Sequence, residues 1–306
     1  ERCLFLDNSA QSGTVSFQGS QFDRSSNGTL RNCAFLDNEA DVGGAIVVIS
    51  SSPTIESCTI VGNRAATVEA GGLLVLGQSS VVVRACILWA NTAAGVVSEG
   101  AQLWSEAGSA VVTVDHSDID QWTQGGPGNI AADPAFVDLD GDDDVFGTED
   151  DDVALMPLSP CVDAGSPQAY ALGTDLLGGA RLIDGNLDNF MASDMGAAEY
   201  SAVRLHAQVV GADSKQVSIS IEADEPLWGY LLVGLEEGEQ LVPPFGSVFV
   251  DLGVPFGRFE VGALPFAQTF TVPDDPALPR DFLLQVVGIK PATGVGNVSN
   301  AVWLEL

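Results

Sequence analysis

Along the first 130 residues the apolar positions fall into short runs of Val, Ile, Leu and Phe, broken by glycine and polar residues, and no segment sustains a helical period. That pattern predicts short strands joined by turns. The runs also repeat. Cys3-Leu-Phe-Leu-Asp-Asn8, Cys33-Ala-Phe-Leu-Asp-Asn38, Cys58-Thr-Ile-Val-Gly-Asn63 and Cys86-Ile-Leu-Trp-Ala-Asn91 align, with cysteines 30, 25 and 28 residues apart. A degenerate fifth copy begins at Ser117, 31 residues further on. An apolar residue stands two places after each Cys or Ser (Phe5, Phe35, Ile60, Leu88, Ile119) and another three places before (Leu30, Ile55, Val83, Val114). Beyond the asparagine, glycine steps such as Gly43-Gly44 and Gly71-Gly72 lead into a further strand.

A helix-free unit of this length is one coil of a parallel β-helix. Such a coil cannot bury its apolar face alone, so stacked coils share one continuous core. Equivalent residues then form columns about 4.8 Å apart. Asn8, Asn38, Asn63 and Asn91 are expected at a turn, with left-handed backbone and a bond to the next coil. Cys3, Cys33, Cys58 and Cys86 form an inward column of small apolar side chains. Their spacing permits Cys3–Cys33 and Cys58–Cys86 disulfides; a ladder of buried thiols is the alternative. Two places before each Cys or Ser the charge alternates, Glu1, Arg31, Glu56, Arg84, Asp115, which predicts an outward, register-setting ion ladder.

The fold class expected is therefore all-β: a right-handed parallel β-helix of about five visible coils over 1–132, an acidic loop and cap over 133–202, and a β-sandwich over 203–306. The chain opens inside a repeat, so the β-helix is expected to be N-terminally incomplete. The sandwich rests on strand-like runs at Arg204–Val210, Gln216–Ile221, Ser247–Leu252, Asp281–Val287 and Ala301–Leu306, separated by Pro- and Gly-rich turns. Composition narrows the partners. With 42 acidic and 11 basic residues, a net charge of -31, the chain lacks the basic surface that nucleic acid or an anionic membrane requires. No run approaches the roughly 18 apolar residues of a membrane span. A monomer is expected, since high charge opposes self-association.

The Gly43-Gly44-Ala45-Ile46 step and the Phe5-to-Asn8 and Phe35-to-Asn38 segments resemble polymorphic outer membrane protein repeats of bacterial adhesins and autotransporters. Further on, Gly128-Asn129-Ile130, Asp133-Pro134-Ala-Phe136, Leu158-Ser-Pro-Cys161-Val-Asp163-Ala-Gly165, Ala180-Arg181-Leu-Ile183-Asp-Gly185 and Asp194-Met-Gly-Ala-Ala-Glu199-Tyr200 resemble the closing segment of "choice-of-anchor" β-helix proteins. Phe282-Leu-Leu-Gln285 with Ser299-Asn300-Ala301 is similar to the terminal module of secreted planctomycete-type proteins. These resemblances imply a secreted or cell-surface protein of a bacterium, with glycans or other surface molecules as partners.

Candidate chemistry is sparse. Nine of the fifteen residues 138–152 are acidic and none is basic, a density that a Ca²⁺ ion would relieve. Asp138, Asp140, Asp142, Asp144 and Glu149 fall at the ligand positions of an EF-hand loop, but Asp143 replaces the required glycine, so a looser calcium loop or a solvated insertion is expected. Arg181, the single basic residue between 133 and 200, is expected to pair with Asp163, Asp194 or Glu199 as a structural clasp. Asp115, Asp118 and Asp120 beside His116 are the nearest approach to a catalytic cluster, yet no motif of the pectin hydrolases accompanies them. Trp89, Trp104 and Trp122 lie on neighbouring coils and would stack on sugar rings if exposed; the alternative expected is that they pack beneath the acidic cap or the sandwich. The leading reading is a non-catalytic surface protein with a structural, adhesive or glycan-binding role. The alternative is a calcium-dependent polysaccharide lyase or glycoside hydrolase of pectate-lyase-like fold.

Overall fold

The computed structural model describes residues 1–19, 27–67, 69–167, 173–188, 190–210, 216–224, 226–234, 237–242, 246–250, 257–271, 281–292 and 296–305. They form two compact units, Glu1–Tyr170 with Ser193–Glu199, and Ala171–Ala192 with Tyr200–Leu306. The segment 133–202 is thus divided between both.

In the first unit the chain winds through about four turns of a parallel β-helix, and a fifth turn contributes only Asp118–Ile119. Four sheets run along its sides. The first holds Leu4–Leu6, Ala34–Leu36, Thr59–Val61, Ile87–Trp89 and Asp118–Ile119; the second Ser9–Ser12, Glu39–Val42, Arg64–Ala65 and Thr92–Ala93. The third holds Val15–Gln18, Ile46–Ile49, Leu73–Leu76 and Leu103–Ser105; the fourth Thr29–Arg31, Thr54–Glu56, Ser80–Arg84 and Val111–Asp115. Pairing between coils is parallel and in register, so Phe5, Phe35, Ile60, Leu88 and Ile119 make one column. Leu30, Ile55, Val83 and Val114 make another. Both columns point inward and meet Ile46, Val48, Leu73 and Val75 of the third sheet in the core.

Two positions bend each coil. The residue just before each Cys or Ser (Arg2, Asn32, Ser57, Ala85, His116) and the residue four places after it (Asp7, Asp37, Gly62, Ala90, Gln121) are left-handed, with φ between 43° and 66°. This corrects the expectation for the asparagines. The bend falls one residue earlier, and each Asn keeps an ordinary backbone and spends its side chain between coils. Asn8 Nδ2 donates to Asn38 Oδ1 at 2.7 Å, Asn38 to Asn63 at 2.8 Å, and Asn63 to Asn91 at 2.9 Å. Each accepting oxygen also takes the backbone N–H of the donor residue, at 2.9–3.1 Å. The amides of Asn38, Asn63 and Asn91 reach in addition the carbonyls of Phe5, Phe35 and Ile60. Asn91 donates to Gln102 Oε1 at 2.7 Å. Gln102 comes from a one-turn helix, Glu99–Gln102, capped by Ser98 and absent from the sequence expectation. Asn38, Asn63, Asn91 and Gln102 are fully buried, where an unmade bond would cost most.

The alternating charges do meet. Arg31 bonds Glu1 at 2.6 Å and Glu56 at 2.8 Å, while Arg84 lies 4.0 Å from Glu56 and 3.7 Å from Asp115. The column is less outward than expected, because Glu56 is only 4% exposed. All five cysteines are free thiols: Cys33, Cys58 and Cys86 are buried, and Cys3 is exposed. The bond to Cys58, with burial, pushes the Cys33 thiol up, and burial does the same to Cys58. Ser117 continues the column, accepting the Cys86 N–H at 3.1 Å.

In the second unit, Val203–Val209, Gln216–Ala223 and Phe266–Thr271 form one antiparallel sheet. Gly257–Ala263, Trp228–Gly234, Asp281–Ile289, Gly296–Val298 and Val302–Glu305 form another. Glu237–Val242 and Gly246–Val250 pair as a hairpin. Leu205, Val217 and Ile221 of the first sheet pack on Leu231, Leu284 and Val286 of the second, which makes the expected sandwich. Parts of the expected strands at Asp251, Leu252 and Leu306 lie outside the described residues.

Replacing Asn63 with Ala strips an acceptor from Asn38 and a donor from Asn91 and Phe35, and should destabilise the β-helix by about 3 kcal/mol or more. Thermal or urea unfolding measures this; an unchanged midpoint would show that the amide ladder contributes nothing. The Arg31→Glu/Arg84→Glu variant should likewise lower the melting temperature, because it places like charges on neighbouring coils.

Candidate functional site

The three aspartates proposed around His116 do not share a cleft. Asp115 belongs to the ion ladder with Arg84 and lies 3.3 Å from His116 Nδ1. Asp118 is fully buried. One of its oxygens accepts the Ala132 N–H at 3.1 Å, and the other accepts the Cys161 thiol at 3.3 Å. Burial, reinforced by the charges of Asp120 and Asp133, pushes the Asp118 carboxyl up to about 6 against those two bonds. Asp120 is half-buried beside Gln121, whose left-handed backbone turns the chain. His116 likewise fills the left-handed slot held elsewhere by Arg2, Asn32, Ser57 and Ala85.

The tryptophans divide. Trp89 stands on the outer side of the first sheet, since its neighbour Leu88 points into the core. Trp104 and Trp122 line one cleft of about 250 Å³ at the last turn of the β-helix. Glu99, Leu103, Ser105, Val112, Val114 and Gln124 line it as well, and the Trp104 side chain packs against Val47, Ala70 and Leu74 on the face of the third sheet opposite to Leu103. Trp122 packs against the core and donates its indole N–H to Gly125 O at 2.7 Å. Glu99 accepts from Thr123 N and Oγ1 at 3.1 and 2.5 Å and from Gln124 Nε2 at 2.5 Å. The one-turn helix that supplies Glu99 has no periodic signal in the sequence. No sequence pattern announced that Glu99 would stand beside two tryptophans.

Residues 133–167 and 193–199 lie along the outer face of the first sheet. Gly196 N–H bonds Ala85 O, and Ala197 N–H bonds Thr59 Oγ1. A side chain at Gly196 would come within 2.8 Å of Ile87 and 2.9 Å of Thr59, which accounts for the small residues of Met195-Gly-Ala-Ala198. Ser159 bonds Pro134 O, and Asp194 accepts the Asp163 N–H while its own N–H meets Glu199. These contacts bury Ala34, Leu36, Thr59, Val61 and Ile87 on the outside of the sheet. The acidic loop joins the same flank, its Phe146 ring seated on Gly62.

Within that loop Phe136–Asp138 and Asp152–Leu155 pair as a hairpin. Asp143, Asp150, Asp151 and Asp152 bond the loop's own backbone amides. Asp138, Asp140, Asp142, Asp144 and Glu149 are exposed. Among the described residues no three acidic, histidine or cysteine side chains converge to hold a metal ion, so the loop offers no ready-made cage. Desolvation, a bond to Asp140 and the charges of Asp140, Asp142 and Asp144 hold the Asp138 carboxyl above its ordinary range. Arg181 is fully buried in the second unit, in the same unit as buried Asp175 and Asp184. Two of the acids expected to clasp it, Asp194 and Glu199, are themselves buried.

Comparison with known proteins agrees with this architecture. Residues 1–132 match the family model of a right handed beta helix region. No curated protein matches the chain. The first unit's coils are therefore a right-handed parallel β-helix, a scaffold class that includes both surface proteins and pectate-lyase-like enzymes.

Asp118 gives the β-helix a pH dependence. An unfolded aspartate titrates near 4 and the folded one near 6, so the native state holds the proton more tightly. Its effect on stability is most favourable below pH 4, declines as pH rises from about 4 to 6, and is constant above. Asp118→Asn should remove about 3 kcal/mol of that decline. Urea midpoints of both proteins at pH 4 and pH 7 test it; parallel shifts would sink the assignment.

Proposed function

We propose that this protein is a secreted or cell-surface, non-catalytic β-helix scaffold of a bacterium, with a structural or adhesive role towards glycans. In this reading its repeats are of the polymorphic outer membrane protein kind, and its closing segment is of the choice-of-anchor kind. The supporting observation is the use made of its candidate catalytic carboxylates. Asp115 is engaged by Arg84, and Asp118 is buried between Cys161 and Ala132. A hydrolase needs two carboxyls facing across a groove, and a lyase needs a base within reach of a sugar proton; the engagement of Asp115 and Asp118 elsewhere supports the non-catalytic reading. A glycan array run beside an assay for unsaturated-uronate release tests the reading. Retention of glycans without product supports it, and enzymatic release of unsaturated uronate would replace it with the lyase.

Calcium belongs to the same proposal as the counter-charge of the acidic loop. The crowding that raises the Asp138 carboxyl is what a divalent cation relieves, with the loop closing around it through Asp138, Asp140, Asp142, Asp144 and Glu149. Titration calorimetry should show Ca²⁺ heats that disappear in Asp140→Ala/Asp142→Ala; equal heats from both proteins would end this part of the proposal.

A further inference from the structure

We propose that the open edge of strand Val203–Val209 pairs with the same strand of a second copy of this chain, antiparallel and about a two-fold axis at Gln208.

Backbone direction comes first. Even-numbered positions along this stretch face Gln216–Ala223, since Ala202 O accepts the Asp224 N–H at 3.1 Å and the Val210 N–H meets Gln216 O at 2.9 Å. Odd-numbered residues therefore turn their N–H and C=O to the other side, where no described strand is paired with them. Side chains fill the first part of that edge. The Val203 N–H donates to Ser201 Oγ at 3.2 Å, and Ser201 Oγ donates to Val203 O at 2.7 Å. Asn300 Oδ1 accepts the Leu205 N–H and Asn300 Nδ2 donates to Leu205 O, both at 3.0 Å. The Asn300 amide thus stands where the backbone of a neighbouring strand would. Ala207 and Val209 receive no such substitute: among the described residues, nothing bonds their N–H or C=O on that side. Val209 and Val210 are 37% and 38% exposed, and His206 and Gln208 are exposed as well. Exposed β-branched residues on an unpaired edge are a template for another strand.

The register follows from these open groups. With Gln208 opposite Gln208, Ala207 of each copy faces Val209 of the other. The open N–H groups of one copy then meet the open C=O groups of the other. On the outer face His206 lies opposite Val210 of the second copy. The pairing ends before Leu205, whose groups Asn300 already holds. A two-fold contact of this kind also closes on itself and leaves neither edge free to propagate.

Charge favours a second copy over a basic partner. The net charge of -31 opposes self-association in general, but Leu205-His-Ala-Gln-Val-Val210 carries no carboxylate and no lysine or arginine. Arg204, just before it, is held by Glu222 and Asp224. A basic segment would find no acid along this run to pair with, whereas an identical neutral strand matches it. The repulsion that remains acts from a distance and is screened by salt.

Sedimentation velocity of the full 306-residue chain, in the presence of a chelator, should show a dimer that dissociates on dilution. Raising salt to about 1 M should tighten it, because the Debye length falls to roughly 3 Å. Val209→Pro removes a donor that the monomer leaves unused, and Val209→Lys charges the edge; each should weaken the dimer about tenfold or more. In a Cys3→Ser background, mild oxidation should link Gln208→Cys into a covalent dimer and leave His206→Cys unlinked. Only position 208 faces its own copy, at the roughly 4.5 Å Cα separation of a non-hydrogen-bonded pair, which a disulfide spans. Circular dichroism of each variant separates loss of pairing from loss of the fold. A monomer at every concentration and salt overturns the proposal. So does a dimer that persists unchanged in folded Val209→Pro and Val209→Lys, or equal cross-linking at 206 and 208.

Discussion

The buried amide ladder is the constraint on which the β-helix depends. Each coil turns through a left-handed residue, and in the inner coils the asparagine just after it has polar atoms that cannot reach water. Asn38, Asn63 and Asn91 are fully buried, and each is satisfied only when the neighbouring coil sits in one register. A slip by one residue would break every bond in the column and turn the inward Phe35, Ile60 and Leu88 outward. The ladder has a direction, since each asparagine side-chain oxygen accepts from the asparagine of the earlier coil and Gln102 receives the last of these bonds. The ion column from Glu1 to Asp115 imposes the same register on the fourth sheet, with weaker forces and fuller exposure. Hydrophobic stacking supplies most of the stability, and the polar columns decide which stacking is native.

That division also explains how the outer flank of the stack is covered. The outer face of the first sheet is covered by residues 133–167 and 193–199, whose small side chains and backbone-bonding carboxylates are suited to lying flat against strands. One of the carboxyls that looked catalytic is spent against this cover. It is Asp118, a buried acid tied to the thiol of Cys161 and the amide of Ala132. At the last turn Val112 and Val114 of the fourth sheet are only partly buried, and Trp122 packs against the core beside them. The end of a stack is where an apolar interior has no further coil to cover it, and an aromatic side chain is an economical lid.

Much of this was written in the spacing of a few residue types. The Cys-x-Phe-x-x-Asn period determined the coils, the inward columns and the ion partners, because in-register stacking brings residues 25 to 31 apart into contact by simple repetition. The alternating Arg31, Glu56, Arg84 and Asp115 could be paired from their order alone. What the period could not carry was anything outside it. The left-handed bend falls at Asp7, Asp37, Gly62 and Ala90, one place before the conspicuous asparagine, and so varied a set leaves no signature. Gln102 ends the ladder from an inserted turn of helix, and Glu99 reaches Thr123 and Gln124 across 24 and 25 residues that do not repeat. Only the tertiary structure separated Trp89 from Trp104 and Trp122, because their positions depend on which sheet each coil assigns them to and not on how close they are in sequence. It alone laid the closing segment on the flank of the first sheet. Repetition makes local spacing equivalent to spatial distance, and where the repeat stops, contact is decided by packing.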